Sequence, residues 1–292
     1  MIKRLFNRND NIAILIAGIF SIIIGLGVAR FAFTGLIPAM LDDYLTIKFV
    51  GILASLNFAG YLSGSIFSIF VKDINFKVYL YRFGIFLAIS TTFILAYSDN
   101  NTLWMIGRVL AGFAGAMCLI VGTSIVMQKL TIKSKTKAMG IHFSGIGFSI
   151  LTTDLLARFV LSLNYSWRDS WAVLAVFAII LSLYSVYILS FDKEVKQNAV
   201  KVKFDISIFT PFVIVLIIAY FTEGVGFVVQ ATFLPDIINN LKGLEGYGSL
   251  TWTLVGVAGI PSCIIWMLLA HRFGSSNIII IALLLQSVGI LI

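Results

Sequence analysis

The feature that most constrains this chain is a series of apolar runs, each long enough to cross a bilayer and each ended by a short polar segment. A helix needs about 20 mainly apolar residues to span a membrane, where no water is left to satisfy an exposed backbone. On that criterion the sequence predicts eight complete spans, Asn11 to Pro38, Phe49 to Val71, Val78 to Tyr97, Leu103 to Gln128, Ala138 to Leu163, Trp167 to Phe191, Ile206 to Pro235 and Ser249 to Ala270. A ninth begins near Asn277. The expected class is an all-α polytopic membrane protein. Composition agrees, since the chain is 60% hydrophobic and only 12% charged, whereas a soluble domain carries about 25% charged residues.

The net charge of +8 does not point to nucleic acid, because the basic residues sit in the short segments between apolar runs and form no single basic face. They alternate by side instead. One side receives Arg4, Arg8, Lys72, Lys77, Lys129, Lys135, Lys137 and the lysines of the segment after span six; the other has only Lys48, Arg168 and Lys242. By the positive-inside rule the N-terminus is expected to be cytoplasmic, with the chain in the cytoplasmic (inner) cell membrane. The first apolar run is too long for a signal-peptide core and is expected to stay as a membrane helix. Cys118 and Cys263 lie inside apolar spans and suggest neither a disulfide framework nor a metal site. No nucleotide-binding or hydrolytic motif is found, so neither an enzyme nor a cofactor is expected.

The longest polar connection, over residues 192–205, separates an expected six-helix bundle (1–191) from a second set of spans (206–292). Spans one and two also recur in spans seven and eight. Gly27 and Pro38 match Gly224 and Pro235, and Ala59, Gly60 and Ser63 match Ala258, Gly259 and Ser262. Six crossings separate the copies, which gives a parallel repeat about an axis along the membrane normal. A full second copy would hold six spans where this chain has about three, so the sequence reads as truncated at its C-terminal end.

Several segments resemble the major facilitator superfamily of transporters. Arg108 to Gly112 in span four is similar to that superfamily's Arg-x-x-x-Gly element, and Leu269-Ala270-His271-Arg272-Phe273-Gly274 resembles its Leu-Ala-Asp-Arg-x-Gly loop, with His271 in place of Asp. The stretch Gly27-Val28-Ala29-Arg30-Phe31-Ala32-Phe33-Thr34 and the pair Glu223-Gly224 look like the bacterial YbfB/YjiJ-like branch. The resemblance implies two six-helix bundles rocking around a central cavity lined by spans one, four and seven. It implies a small-molecule substrate and no cofactor.

The charges inside the spans carry the functional reading. An arginine at a bilayer centre costs roughly 2.5 to 3.5 kcal/mol on insertion scales, so Arg30 should face a cavity or the bundle interior. Counting about 1.5 Å per residue along each helix puts Arg30, Arg108 and Glu223 at similar depth, where they are expected to meet across one cavity. The expected mechanism has Glu223 carry a proton while Arg30 and Arg108 set its pKa or hold an anionic substrate, with Asn57 as a further cavity residue. Direction is left open, with export favoured over uptake of an organic anion. Asp154 and Arg158, spaced i, i+4 on span five, read as a structural ion pair. Gln230 and Tyr220 flank Glu223, and Gly60, Gly64, Gly112 and Gly115 offer small surfaces for close helix packing. The alternative from another class is a non-transporting sensor or assembly partner built on a transporter scaffold.

Overall fold

The computed structural model describes residues 4, 6–41, 43–131, 135–191 and 206–291. Its long elements are helices, α1 (Asn11–Leu41), α2 (Ile47–Phe70), α3 (Ile74–Tyr97), α4 (Asn101–Lys129), α5 (Lys135–Ser162), α6 (Trp167–Ile188), α7 (Pro211–Asn239), α8 (Gly248–Phe273) and α9 (Ser275–Leu291). Each of α1 to α8 contains a stretch long and apolar enough to cross a membrane. The protein is a multi-pass, all-helical membrane protein. The charged connection over 192–205 and the side chain of Gln230 lie outside the described residues.

Helices α2, α3 and α4 start two to four residues before their apolar runs because capping side chains set their ends. Thr46 accepts a hydrogen bond from the Phe49 amide at 3.3 Å, Asp73 from Phe76 at 2.7 Å, and Asn100 from Thr102 at 2.8 Å. Ser166 and Asp169 form a reciprocal capping box at the start of α6. Each cap satisfies an amide that the helix itself leaves open, a contribution of about 1 kcal/mol. At the other ends, Pro38 and Pro235 do not terminate their helices, which continue to Leu41 and Asn239. A proline forfeits one backbone bond, and in a membrane bundle neighbouring groups take up the freed carbonyl.

The main core is drawn from α1 to α6, with Ile14, Ile24, Phe33 and Leu36 of α1, Leu53 of α2, Tyr81 of α3, Trp104 of α4 and Trp171 of α6 all buried together. Helix α1 lies largely inside, and apart from Arg30 its span is close to apolar all round. Large apolar side chains such as Leu62, Ile69, Phe86 and Leu183 stay exposed on the outer helices. In lipid such exposure carries no hydrophobic penalty, so packing here rests on close backbone approach.

Three close approaches position the rest. Between α2 and α4, a Cβ on Gly60 would lie 2.0 Å from the Val109 carbonyl oxygen, and one on Gly112 would lie 1.9 Å from that of Asn57. Between α5 and α8, a Cβ on Gly147 would lie 2.2 Å from the Ile260 amide nitrogen. Between α1 and α4 the approach involves two π-helical segments, Ile23–Phe31 and Met117–Val121. A Cβ on Gly25 in the first would lie 2.3 Å from Cys118 Cβ in the second. The Ser21 hydroxyl donates to the Cys118 carbonyl at 2.9 Å, giving one carbonyl of the second π segment a partner. Wide turns of this kind are frequent at functional sites, and Arg30 lies in the longer one.

Candidate functional site

The second-to-last residue of the α1 π segment is Arg30. Its guanidinium carbon lies 4.2 Å from the ring centre of Phe58, 5.3 Å from that of Tyr61 and 5.6 Å from that of Phe31. These rings accept the cation on their faces. Among the described residues Arg30 has neither a hydrogen-bond acceptor nor a carboxylate partner. Among those residues it is a part-buried cation held by aromatic faces.

Arg108 on α4 is placed quite differently. It is 2% exposed, donates through Nη1 to the Ala29 carbonyl at 3.1 Å and through Nε to the Leu53 carbonyl at 3.4 Å, and stands 4.2 Å above the ring centre of Phe33. Its donors thus tie α4 to α1 and α2. Asn57, 1% exposed, completes the knot by donating from Nδ2 to the Arg108 carbonyl at 3.1 Å. The contact is set by the glycines beside it, because the Gly112 approach brings α4 against the Asn57 backbone.

Arg30, Arg108 and Asn57 wall one cavity of about 20 Å³, together with Phe33, Phe58, Phe227 and Trp252. That is room for a single water-sized group. Sequence reading gave the arginines and Asn57 but missed Trp252, which is 2% exposed and stacks edge-on with Phe31 at 6.0 Å. One signal was available: the repeat register that pairs Gly60 with Gly259 also pairs Leu53, whose carbonyl receives Arg108, with Trp252.

Glu223 is not in this cavity. It lies on α7 beside a separate cavity of about 300 Å³ lined by Thr222, Gln286 and Ser287, and accepts a hydrogen bond from Gln286 Nε2 at 3.3 Å. Phe227, one turn further along α7, reaches the arginine cavity instead. The two sites therefore share a helix but not a space, and among the described residues no ion pair joins Glu223 to an arginine.

Asp154 on α5 is buried, with Arg158 Nε 3.0 Å from its Oδ2. The angle is not that of a hydrogen bond, so among the described residues Nε and Nη2 of Arg158 have no acceptor. The same carboxylate oxygen accepts a short hydrogen bond from the Thr253 hydroxyl on α8. A Cβ on Gly35 of α1 would lie 3.1 Å from Asp154 Oδ1 and 3.5 Å from Trp252 Cδ1. Asp154 therefore joins α5 to α8 directly behind the arginine cavity.

The family described as "Uncharacterised MFS-type transporter YbfB" matches residues 22–292. A protein named TsgA homolog, from Buchnera aphidicola subsp. Baizongia pistaciae (strain Bp), is 24% identical over 161 residues, which is 54% of this chain and 41% of that protein. The chain thus aligns with less than half the length of this relative. With the family match covering nearly the whole chain, and with eight helices long and apolar enough to cross a membrane, the chain belongs to the YbfB family of MFS-type transporters.

Proposed function

We propose that this transporter moves a small organic anion across the cytoplasmic (inner) membrane by alternating access, driven by the proton gradient, with export favoured over uptake. The observation that carries the reading is Arg30, a cation inside the membrane with no acceptor among the described residues. A charge kept in that setting is a functional residue by default, and its missing partner is the anion. Arg108 has its donors on backbone carbonyls, so we assign it the role of holding the cavity wall.

In this reading residues 1–191 form one rocking bundle and 206–292 belong to the other, with the N-terminus cytoplasmic and the α5–α8 contact as the joint. The Asp154–Arg158 pair is structural and steadies that joint. Glu223 carries the proton: it lines a roomy cavity with Thr222, Gln286 and Ser287 and sits one turn from Phe227, so a shift of α7 moves both sites together. The Arg-x-x-x-Gly element at Arg108 favours export.

Flux of radiolabelled organic acids in proteoliposomes, with and without an imposed pH gradient, tests the proposal. Wild-type protein should show gradient-driven flux, Arg30→Gln should lose it, and Glu223→Gln should keep exchange but lose accumulation. Wild-type accumulation by Glu223→Gln would sink the proton assignment, and selective flux of cations would sink the anion.

A further inference from the structure

The arginine cavity is lined by two positive charges and, among the described residues, by no carboxylate. Asp154, behind its wall, is already engaged by Arg158 and Thr253. Arg108 commits Nε and Nη1 to backbone carbonyls, but among the described residues its Nη2 has no acceptor, and neither has Arg30. Thr34 of α1 and Thr232 of α7 are buried and line the same cavity, and among the described residues neither hydroxyl is hydrogen-bonded. By contrast, Asn57 Oδ1 and Trp252 Nε1 are sealed inside the wall.

Charge and hydrogen bonding then point the same way. A charge held away from water is costly unless it is paired, and a neutral water between two guanidinium groups leaves both charges uncompensated. Guanidinium N–H groups only donate, and a threonine hydroxyl can turn to donate as well. A positive, donor-rich wall selects an anion. The rings of Phe58 and Phe33, each 4.2 Å from one of the two guanidinium carbons, keep the surroundings apolar, where attraction between opposite charges is strong. Size narrows the choice. About 20 Å³ is room for one water-sized group. A monatomic anion such as chloride meets that limit, whereas a carboxylate with its carbon body can reach Arg30 only after the walls have parted.

We propose that a single chloride ion binds between Arg30 and Arg108 while the cavity has this size, with the hydroxyls of Thr34 and Thr232 as further donors. This rests on the reading given above that the missing partner of Arg30 is an anion, and it names the anion that fits the cavity as it stands. Because Thr232 belongs to α7 and the other donors to α1 and α4, the ion joins the two sets of helices. An organic anion arriving at Arg30 displaces it.

Halide titration of the purified chain tests it. The protein is held in sodium sulfate, whose polyatomic anion exceeds the cavity, and chloride replaces sulfate at constant ionic strength while thermal unfolding is followed by intrinsic fluorescence. Chloride and bromide should raise the unfolding midpoint saturably, by about 3 °C at tenfold the half-saturating concentration. A general salt effect runs the other way, because sulfate is the more stabilising anion. Arg30→Gln should lose the response while unfolding close to wild type in sulfate, and Arg30→Lys, which keeps the charge, should retain it at weaker affinity. Thr232→Val should weaken chloride several-fold. Lys48→Gln, which removes an exposed cation remote from the cavity lining, should respond as wild type does. An organic acid that binds at Arg30 should raise the chloride concentration needed for half-saturation. No saturable response in wild type, or a response that survives Arg30→Gln, overturns the chloride site, and does so even if Arg30→Gln abolishes organic-acid binding, which leaves the organic-anion reading standing. A chloride response that depends on Arg30 but meets no competition from any organic acid keeps the chloride site and overturns the organic anion.

Discussion

Replacing Gly112 by alanine tests the link between backbone approach and site geometry. The added Cβ would lie 1.9 Å from the Asn57 carbonyl oxygen and 2.7 Å from the Tyr61 amide nitrogen, both backbone atoms that no rotamer change can move. Ordinary contact begins at 3.4 Å, so α2 and α4 must part by about 1.5 Å, a rearrangement that overpacking studies put at roughly 1–3 kcal/mol. The same displacement stretches the Asn57 Nδ2 to Arg108 carbonyl bond, now 3.1 Å, out of hydrogen-bonding range. Two internal controls separate this effect from helix propensity. A Cβ added at Gly51 on α2 would meet nothing within 4 Å, and at Gly107 on α4 the nearest atom is Ile94 Cγ2 at 3.7 Å. Alanine at either control should be neutral or stabilising by up to about 1 kcal/mol. Thermal unfolding in detergent, followed by intrinsic fluorescence, reads stability, and calorimetric titration with an organic acid reads the site. Gly112→Ala should lower the midpoint and weaken binding while Gly51→Ala and Gly107→Ala do neither. A Gly112→Ala protein as stable as the controls and with unchanged binding would refute the reasoning.

Arg108→Gln should destabilise by about 1–3 kcal/mol, because the Ala29 and Leu53 carbonyls lose their buried donor; the shift in unfolding midpoint beside that of Arg30→Gln checks it, and the Arg30 variant should unfold close to wild type. Asp154→Asn should cost roughly 2 kcal/mol, less than the 3–5 kcal/mol of a fully buried pair because the Arg158 side chain is 25% exposed. Its effect should shrink in a double variant with Arg158→Met, measured by the same unfolding assay. At the membrane edge, the Ile12 amide and then Arg4 hold the Asp10 carboxyl below its usual 3.8. A carboxylate with a depressed folded value contributes its cap above the unfolded value and loses it as pH falls through the folded one. Hydrogen exchange at the Ile12 amide should therefore speed up relative to intrinsic rates below about pH 3.8, and should be pH-insensitive by that measure in Asp10→Asn.

The amino-acid sequence by itself determined the class, the spans and their approximate ends. Whether a segment of about 20 residues enters lipid is a sum over its own side chains, so no partner has to be known. It also pointed to Arg30 and Arg108, because a charge is conspicuous wherever the surroundings are apolar. Tertiary structure decided which of these residues share a space. Counting along a helix gives depth but not azimuth, so Arg30 and Glu223 appear level in sequence yet open on different cavities, with Phe227 taking the place beside the arginines. The π segments were equally hidden, since Gly25 and Cys118 sit more than ninety residues apart and the wide turns arise where their helices cross. Trp252 looked like one more apolar residue in its span. Only its burial at the wall of the arginine cavity, with its indole N–H unpaired among the described residues, sets it apart, because an unsatisfied atom is a property of surroundings and not of a residue.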